Sequence, residues 1–449
     1  MGTPNWNLCM STPVTKNQIS RRTLLQAAAA APMFGVPTIA SASVLGRNGN
    51  IGPSDRVRVA VIGCGKMAND FHLPTLLSFK DVQITDVCDV DENRRAHALK
   101  RVNDYYNSAD RAAEAVCRSH TDYRKILDLP DVDAVCIATP EHWHAIPIID
   151  ACKAGKDVYC EKPLTLTLEE SRRCIEAVRK HRRILQTGSQ QRSNVFGQFR
   201  EAVEFIRSGR IGTVKSVTVG VGGPSKPCDL PEEAAEPGLD WNLWLGTAPY
   251  RPYSSVLSPR GVHNHFPAWR SYSEYSGGSH ADMGAHHYDI AQWALDMDRS
   301  GPIKIIPPAD PTTGIGVKYI YKNGVEMTHG GPSGCFFAGT KGTLHIDRGV
   351  LVSDPLSLIA EPLRDDEVHL FRSPGHHRNW IDCIRSRKQP LCDVETGCRT
   401  VAIIQLGNLA YWHNRTLNWD PAKWRFVGDK EADTWLDRQR SPEFPLPHA

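Results

Sequence analysis

Val57-Arg58-Val59-Ala60-Val61-Ile62-Gly63-Cys64-Gly65-Lys66-Met67-Ala68 decides the fold. Its first six residues read as a strand, and the near-continuous apolar run suits a parallel strand covered on both faces. Gly63-x-Gly65-x-x-Ala68 follows at once, and a helical pattern over Phe71–Phe79 follows that. In such a turn the first glycine permits the reversal and the second lets a pyrophosphate approach the backbone. The third small residue packs helix against sheet. Asp89 lies 21 residues beyond Ala68, at the end of the next apolar run, Val82–Asp89. There its carboxylate can accept from ribose hydroxyls and repel a 2′-phosphate, which favours NAD. Arg94 and Arg95 stand near enough to keep NADP open.

Outward from this turn, Ala134–Thr139, Asp157–Cys160 and Ile184–Thr187 read as further strands, and helical stretches separate them. Strands alternating with helices mean βαβ units and a parallel sheet. After residue 188 the pattern changes. Val214–Val221, Gly316–Tyr321, Gly324–Thr328 and Thr343–Ile346 read as alternating strands of a mostly antiparallel sheet, closed by a helix over Cys398–Trp412. The expected class is α/β: an N-terminal Rossmann domain (55–188), then a C-terminal α+β domain with a large, mostly antiparallel sheet (189–420), then a tail (421–449). Residues 223–275 are rich in Pro, Gly and aromatics, and so long a loop inside a compact domain is usually functional.

The first 42 residues read as a leader. Ser20-Arg21-Arg22-Thr23-Leu24-Leu25-Gln26 is a twin-arginine export motif, Ala27–Val36 an apolar run, and Ala40-Ser41-Ala42 a cleavage site, with 43–54 as a linker. The expected location is therefore the periplasm. Removing the leader leaves fifty basic against fifty acidic residues, without a basic tail, so nucleic acid is not an expected partner. No apolar run reaches the roughly 20 residues that span a bilayer. Cys64, Cys88, Cys136 and Cys160 lie in or beside apolar strands, where a thiol behaves as a small hydrophobe. Twin-arginine export moves folded proteins, often with cofactor bound. Beside a dinucleotide motif it implies a cofactor that is carried out and tightly retained.

Three further stretches carry chemistry. Thr139-Pro140-Glu141-His142-Trp143-His144 sits at the carboxyl end of a strand, where open α/β sheets place ligands. Glu161-Lys162-Pro163 ends the next strand; a lysine beside a cationic nicotinamide ring would lose proton affinity and exchange protons with a substrate hydroxyl. In Gly277–Asp289, Asp282 and His286 are spaced i, i+4, so one helix face would let the carboxylate orient the imidazole. The histidines His263, His265, His280, His286 and His287 form no compact metal-ligand pattern, and no metal is expected. Cofactor contacts are assigned to Gly63, Gly65, Lys66, Met67, Ala68, Asp89, Thr139, Pro140, His144, Glu161 and Lys162. Substrate contacts are assigned to Lys162, Gln190, Arg192, Trp241, Tyr272, Asp282 and His286, with Trp244 and Tyr250 as further sugar-stacking aromatics.

Together, Gly63–Ala68, Thr139-Pro140, Glu161-Lys162-Pro163 and the Asp282/His286 pair resemble the Gfo/Idh/MocA oxidoreductases, over nearly the whole chain beyond the leader. The resemblance implies that Lys162 and His286 do the acid–base work beside C4 of the nicotinamide and that Asp282 binds substrate and positions His286. It also implies a carbohydrate, polyol or glycoside substrate, a homodimer or homotetramer through the open sheet face, and a Pro163 that is often cis. The family includes NAD-dependent glycosidases, so a redox-neutral hydrolase is the alternative expectation.

Overall fold

In the computed structural model, residues 51–52, 55–108 and 116–449 are described; the expected leader and most of the linker lie outside them. Strands β1 (Val57–Ile62), β2 (Val82–Cys88), β3 (Arg118–His120), β4 (Ala134–Ile137), β5 (Asp157–Cys160) and β6 (Leu185–Thr187) form one sheet in the order 3-2-1-4-5-6. Every pairing in it is parallel. The doubly wound order follows from right-handed crossovers of short βαβ units. Helices α1 (Leu73–Ser78), α2 (Glu92–Ser108), α3 (Glu141–Lys153) and α4 (Leu168–Lys180) supply them. At the start of α4 the Thr167 hydroxyl accepts from the Glu170 N–H, and the Glu170 carboxylate accepts from the Thr167 N–H, a capping box that satisfies two end groups.

The second sheet has nine strands: β7 (Val214–Gly220), β8 (Lys304–Ile306), β9 (Lys318–Ile320), β10 (Glu326–His329), β11 (Gly334–Gly339), β12 (Thr343–Asp347), β13 (Val350–Asp354), β14 (Leu417–Asp420) and β15 (Arg425–Phe426). Only β7 and β10 pair in parallel, so the sheet is mostly antiparallel as expected. It continues past residue 420, the expected end of the C-terminal domain, because β15 pairs with β14. Buried and less buried residues alternate along β10 and β12, the mark of one packed face. That face meets α5 (Phe199–Arg207) and α6 (Gly284–Ala294) through Phe199, Val203, Tyr288 and Ala291.

The last two helices tie the halves together. Helix α7 (His376–Ser386) puts Trp380 and Ile381 into the core on one side of the parallel sheet. Helix α8 (Val394–His413) puts Val394, Cys398 and Val401 into the core on the other side, then runs under the antiparallel sheet with Ile403, Leu406 and Ala410. The C-terminal segment therefore does not belong to one half. Parallel strands need cover on both faces, and chain distant in sequence supplies part of it. Cys64, Cys88, Cys136 and Cys160 are buried in the parallel half, and burial pushes their thiols up.

Candidate active site

At the carboxyl ends of the parallel strands lies a cavity of about 950 Å³, reaching from Asp89 past Gly65 and Thr139 to Lys162, Asp282 and His286. Gly63 makes it possible: its φ is +88°, and a Cβ there would come within 2.7 Å of the Ala138 carbonyl. Ala68, assigned to the cofactor, is fully buried and packs in the core rather than lining the cavity; this is the role of the small third residue. Asp89 accepts from the N–H groups of Cys64 (2.7 Å) and Asp91 (2.9 Å), so it also holds the glycine turn in shape. Burial raises its carboxyl, while the charge of Arg94 works against that rise. The site fits a dinucleotide. A Cβ built on Gly65 would meet nothing within 4 Å, which leaves the backbone open to a pyrophosphate, and the Thr139 hydroxyl is buried without a partner in the cavity wall.

The inserted loop folds back over this end. Lys66 Nζ donates to Asn264 Oδ1 at 2.7 Å and pairs with Asp70. Arg94 donates to Ser258 Oγ (3.2 Å), to the Gly261 carbonyl (3.3 Å) and to the Pro259 carbonyl, and Gly261 N–H donates to Glu236 (2.6 Å). Arg95 donates to the Asp89 carbonyl. Both arginines are thus spoken for by backbone oxygens.

At the other end, Lys162 Nζ donates to Asp282 Oδ1 at 2.6 Å and to the Asp282 carbonyl at 2.9 Å; the Lys162–Pro163 peptide is cis. Arg270 Nε lies 3.5 Å from the same Asp282 oxygen. Burial works to raise the Asp282 carboxyl, but Lys162 and Arg270 outweigh it and hold it below the ordinary range. Asp282 and His286 do not share one unbroken helix, because a short turn, Ser279–Asp282, ends before α6 begins at Gly284. Asp282 is taken up by Lys162 and Arg270, and the buried His286 Nδ1 has no partner. This corrects the expected carboxylate–imidazole pair: the stronger attraction is between opposite full charges. Burial, then the charges of Lys162 and Arg348, hold the His286 imidazole far below its usual pKa, so it is neutral. Two buried acids flank the ion pair. Glu141 accepts from Ser276 Oγ (2.8 Å) and is pushed up by burial to about 8; Glu161 accepts from Gln190 (2.9 Å) and is pushed up by burial to about 7. His144 reaches the Pro163 and Thr139 carbonyls at 2.8 and 2.9 Å and so staples the two strand ends that frame the cavity.

Lys66, Met67, Pro140 and Gln190 also line the cavity. Three assigned substrate residues do not. Arg192 is buried in ion pairs with Asp289 and Asp298, a requirement of any guanidinium 1% exposed. Trp241 stacks on Trp244 (centroids 4.7 Å apart) and donates to the Arg251 carbonyl; Tyr272 joins the same aromatic cluster. These rings form a small core that stiffens the inserted loop, and Tyr250 is exposed away from the cavity. Trp244 alone of the expected stacking aromatics lines the wall, together with Trp269. Sequence reading missed Glu141, Asn264, Arg270 and Arg348. Only Glu141 carried a local signal, its place beside Thr139-Pro140 at a strand end. The five histidines do not converge: His280, for one, is buried against Asn408 and Tyr288.

Two family models match the chain: an oxidoreductase family NAD-binding Rossmann fold over residues 57–189, and an oxidoreductase family C-terminal alpha/beta domain over residues 225–445. Inositol 2-dehydrogenase 2 of Saccharopolyspora erythraea is 33% identical over 197 residues, 42% of this chain and 53% of that one. A protein named glycosyl hydrolase family 109 protein 2, from a Shewanella species, is 36% identical over 136 residues, 30% of this chain and 28% of that one. The chain spans about half the length of the first curated relatives it matches. Among solved structures, an aldose-aldose oxidoreductase from Caulobacter crescentus complexed with glycerol superposes with a TM-score of 0.55 at 19% identity, covering 81% of this chain and all of that one. Among the described residues no helix is long and apolar enough to cross a membrane.

Proposed function

The chain belongs to the Gfo/Idh/MocA oxidoreductase family, and on that premise we propose that it is an exported, NAD-dependent oxidoreductase acting on a hydroxyl of a sugar, polyol or glycoside and retaining its cofactor. The observation that carries the reading is the Lys162–Asp282 ion pair beside a neutral, unpartnered His286 at one end of the dinucleotide cavity. A nicotinamide bound there would supply a hydride acceptor. His286, unprotonated and with its Nδ1 unpartnered, accepts a hydrogen bond from the hydroxyl and takes its proton as the hydride leaves. The Lys162 ammonium donates a hydrogen bond to the substrate oxygen and steadies the charge that gathers on it. Asp282 holds Lys162 in place and accepts from a neighbouring hydroxyl.

Retention is supported by the loop folded over the adenosine end through Asn264 and the carbonyls held by Arg94. With both arginines committed and Asp89 in the wall, NAD is favoured over NADP. The twin-arginine leader and the periplasmic location belong to the same proposal, as does a homodimer or homotetramer. The open face of the second sheet supports the latter, with Phe336, His345 and Val352 in register across three strands, and the two apolar side chains about two-fifths exposed.

The test starts from protein purified without added nucleotide. Denaturation releases any bound dinucleotide for identification, and near-ultraviolet absorbance follows its reduction as sugars and glycosides are added. Stoichiometric NAD that is reduced, and stays so until a carbonyl acceptor arrives, supports the reading; absence of bound dinucleotide removes the retention argument. One observation favours a second reading, a redox-neutral glycoside hydrolase. Glu141 puts an additional protonated acid beside the ion pair, as a step that eliminates an aglycone and adds water would require. Tyr272, assigned to substrate contacts, does not line the cavity and supplies no base for that route. Continuous aglycone release without net reduction decides for the hydrolase.

A further inference from the structure

Three cations, Lys162, Arg270 and Arg348, line the substrate end of the cavity. Lys162 and Arg270 share the single carboxylate of Asp282. Arg348 lies close enough to depress the His286 imidazole; its backbone N–H donates to Asp347 Oδ1 at 2.7 Å, while its guanidinium has no described carboxylate within ion-pair distance. Its guanidinium is nonetheless placed. It sits at the tip of the hairpin between β12 and β13, lies 4.7 Å over the Phe196 ring, and its Nη2 is 3.5 Å from Gln191 Oε1. The next residue, Gly349, donates its N–H to the Phe196 carbonyl at 3.0 Å. Phe196 itself holds φ +74° and is 48% exposed on the cavity wall. A left-handed aromatic residue costs about 1–3 kcal/mol and persists where surrounding structure enforces it, commonly at a binding site. An open apolar ring on the cavity wall, with a guanidinium lying across it, forms a platform.

We propose that the substrate carries a carboxylate, as a hexuronic acid or its glycoside does, and that Arg348 receives it across the face of Phe196. The planar guanidinium fork matches a carboxylate in bidentate fashion, and a guanidinium on the cavity wall that no described carboxylate engages calls for an anion. A sulfate ester offers the same charge on a different centre, and the test separates the two. The proposal rests on the carbohydrate reading above.

The full chain with its bound dinucleotide is titrated with D-glucuronate, D-galacturonate, D-glucose and D-glucose 6-sulfate. Calorimetry reads binding, and nicotinamide absorbance reads reduction. At least one uronate should bind about tenfold or more tightly than glucose, as one charge-assisted bidentate contact provides. Arg348→Gln should abolish that preference, and Arg348→Lys should restore part of it. Equal binding of uronates and glucose overturns the proposal, as does failure of every uronate to bind or a preference for the sulfate ester. Equal weakening of all sugars by Arg348→Gln also overturns it, by assigning Arg348 to support of the Phe196 loop. A uronate preference without any absorbance change upholds the carboxylate and sinks the oxidoreductase reading; reduction by glucose and uronates alike does the reverse.

Discussion

Replacing Glu141 with Gln should make the pH–stability curves of variant and parent cross. Glu141 is 1% exposed, and burial, reinforced by the charge of Asp282, raises its carboxyl from an ordinary 4.5 to about 8. Between those values the unfolded chain has lost a proton that the folded chain keeps. The folded state therefore binds more protons, and stability falls as pH rises. At about 1.4 kcal/mol per pH unit the interval amounts to about 5 kcal/mol, complete by about pH 8. Glutamine has no proton to lose. It surrenders one acceptor for the Ser276 hydroxyl or the Gly277 N–H, at a cost of about 1 kcal/mol. The variant should thus be slightly less stable near pH 4.5, equal near about pH 5, and more stable by about 4 kcal/mol near pH 8. Glu161 titrates in the same window in both proteins, so the difference between the curves isolates Glu141. Melting temperatures by near-ultraviolet circular dichroism in half-unit pH steps give both curves. Parallel curves would refute the reasoning, because they would mean that Glu141 has the same pKa in the folded chain as in the unfolded chain.

Lys162→Met should cut turnover by about a thousandfold while dinucleotide stays bound in stoichiometric amount; turnover within tenfold of the parent removes Lys162 from the chemistry. Arg94→Met breaks the contacts to Ser258, Pro259 and Gly261, and should speed dinucleotide release into a trapping solution by about tenfold or more. An unchanged release rate would mean that the loop does not hold the cofactor. Arg192→Met leaves Asp289 buried without its partner and should lower unfolding free energy by about 3–5 kcal/mol in denaturant titration. Unchanged stability with a raised KM would return Arg192 to the substrate site.

The parallel half was legible because its signals are contiguous. A strand, a glycine turn and a helix occupy neighbouring residues from Val57 onward, and Asp89 and Lys162 each end an apolar run at a sheet edge where ligands bind. The antiparallel sheet was legible as a class, from period-two alternation, but its nine-strand order was not, because pairing of β7 with β10 and β11 joins residues more than a hundred apart. The same limit governs the site. Spacing i, i+4 suggested that Asp282 serves His286; the fold brings in Lys162 from 120 residues away, and a full charge outcompetes a neutral ring for the carboxylate. Trp241 and Tyr272 looked like sugar platforms because an aromatic side chain in a loop reads alike whether it faces a ligand or its neighbours, and only packing shows that they form a core. Arg270 and Arg348 left no local trace. Sequence by itself determined which residues bear the chemistry and where the dinucleotide turn lies, since bonded neighbours suffice for that. Tertiary structure decided which charges face one another in the cavity, since contact between distant segments and removal from water decide which proton each group keeps.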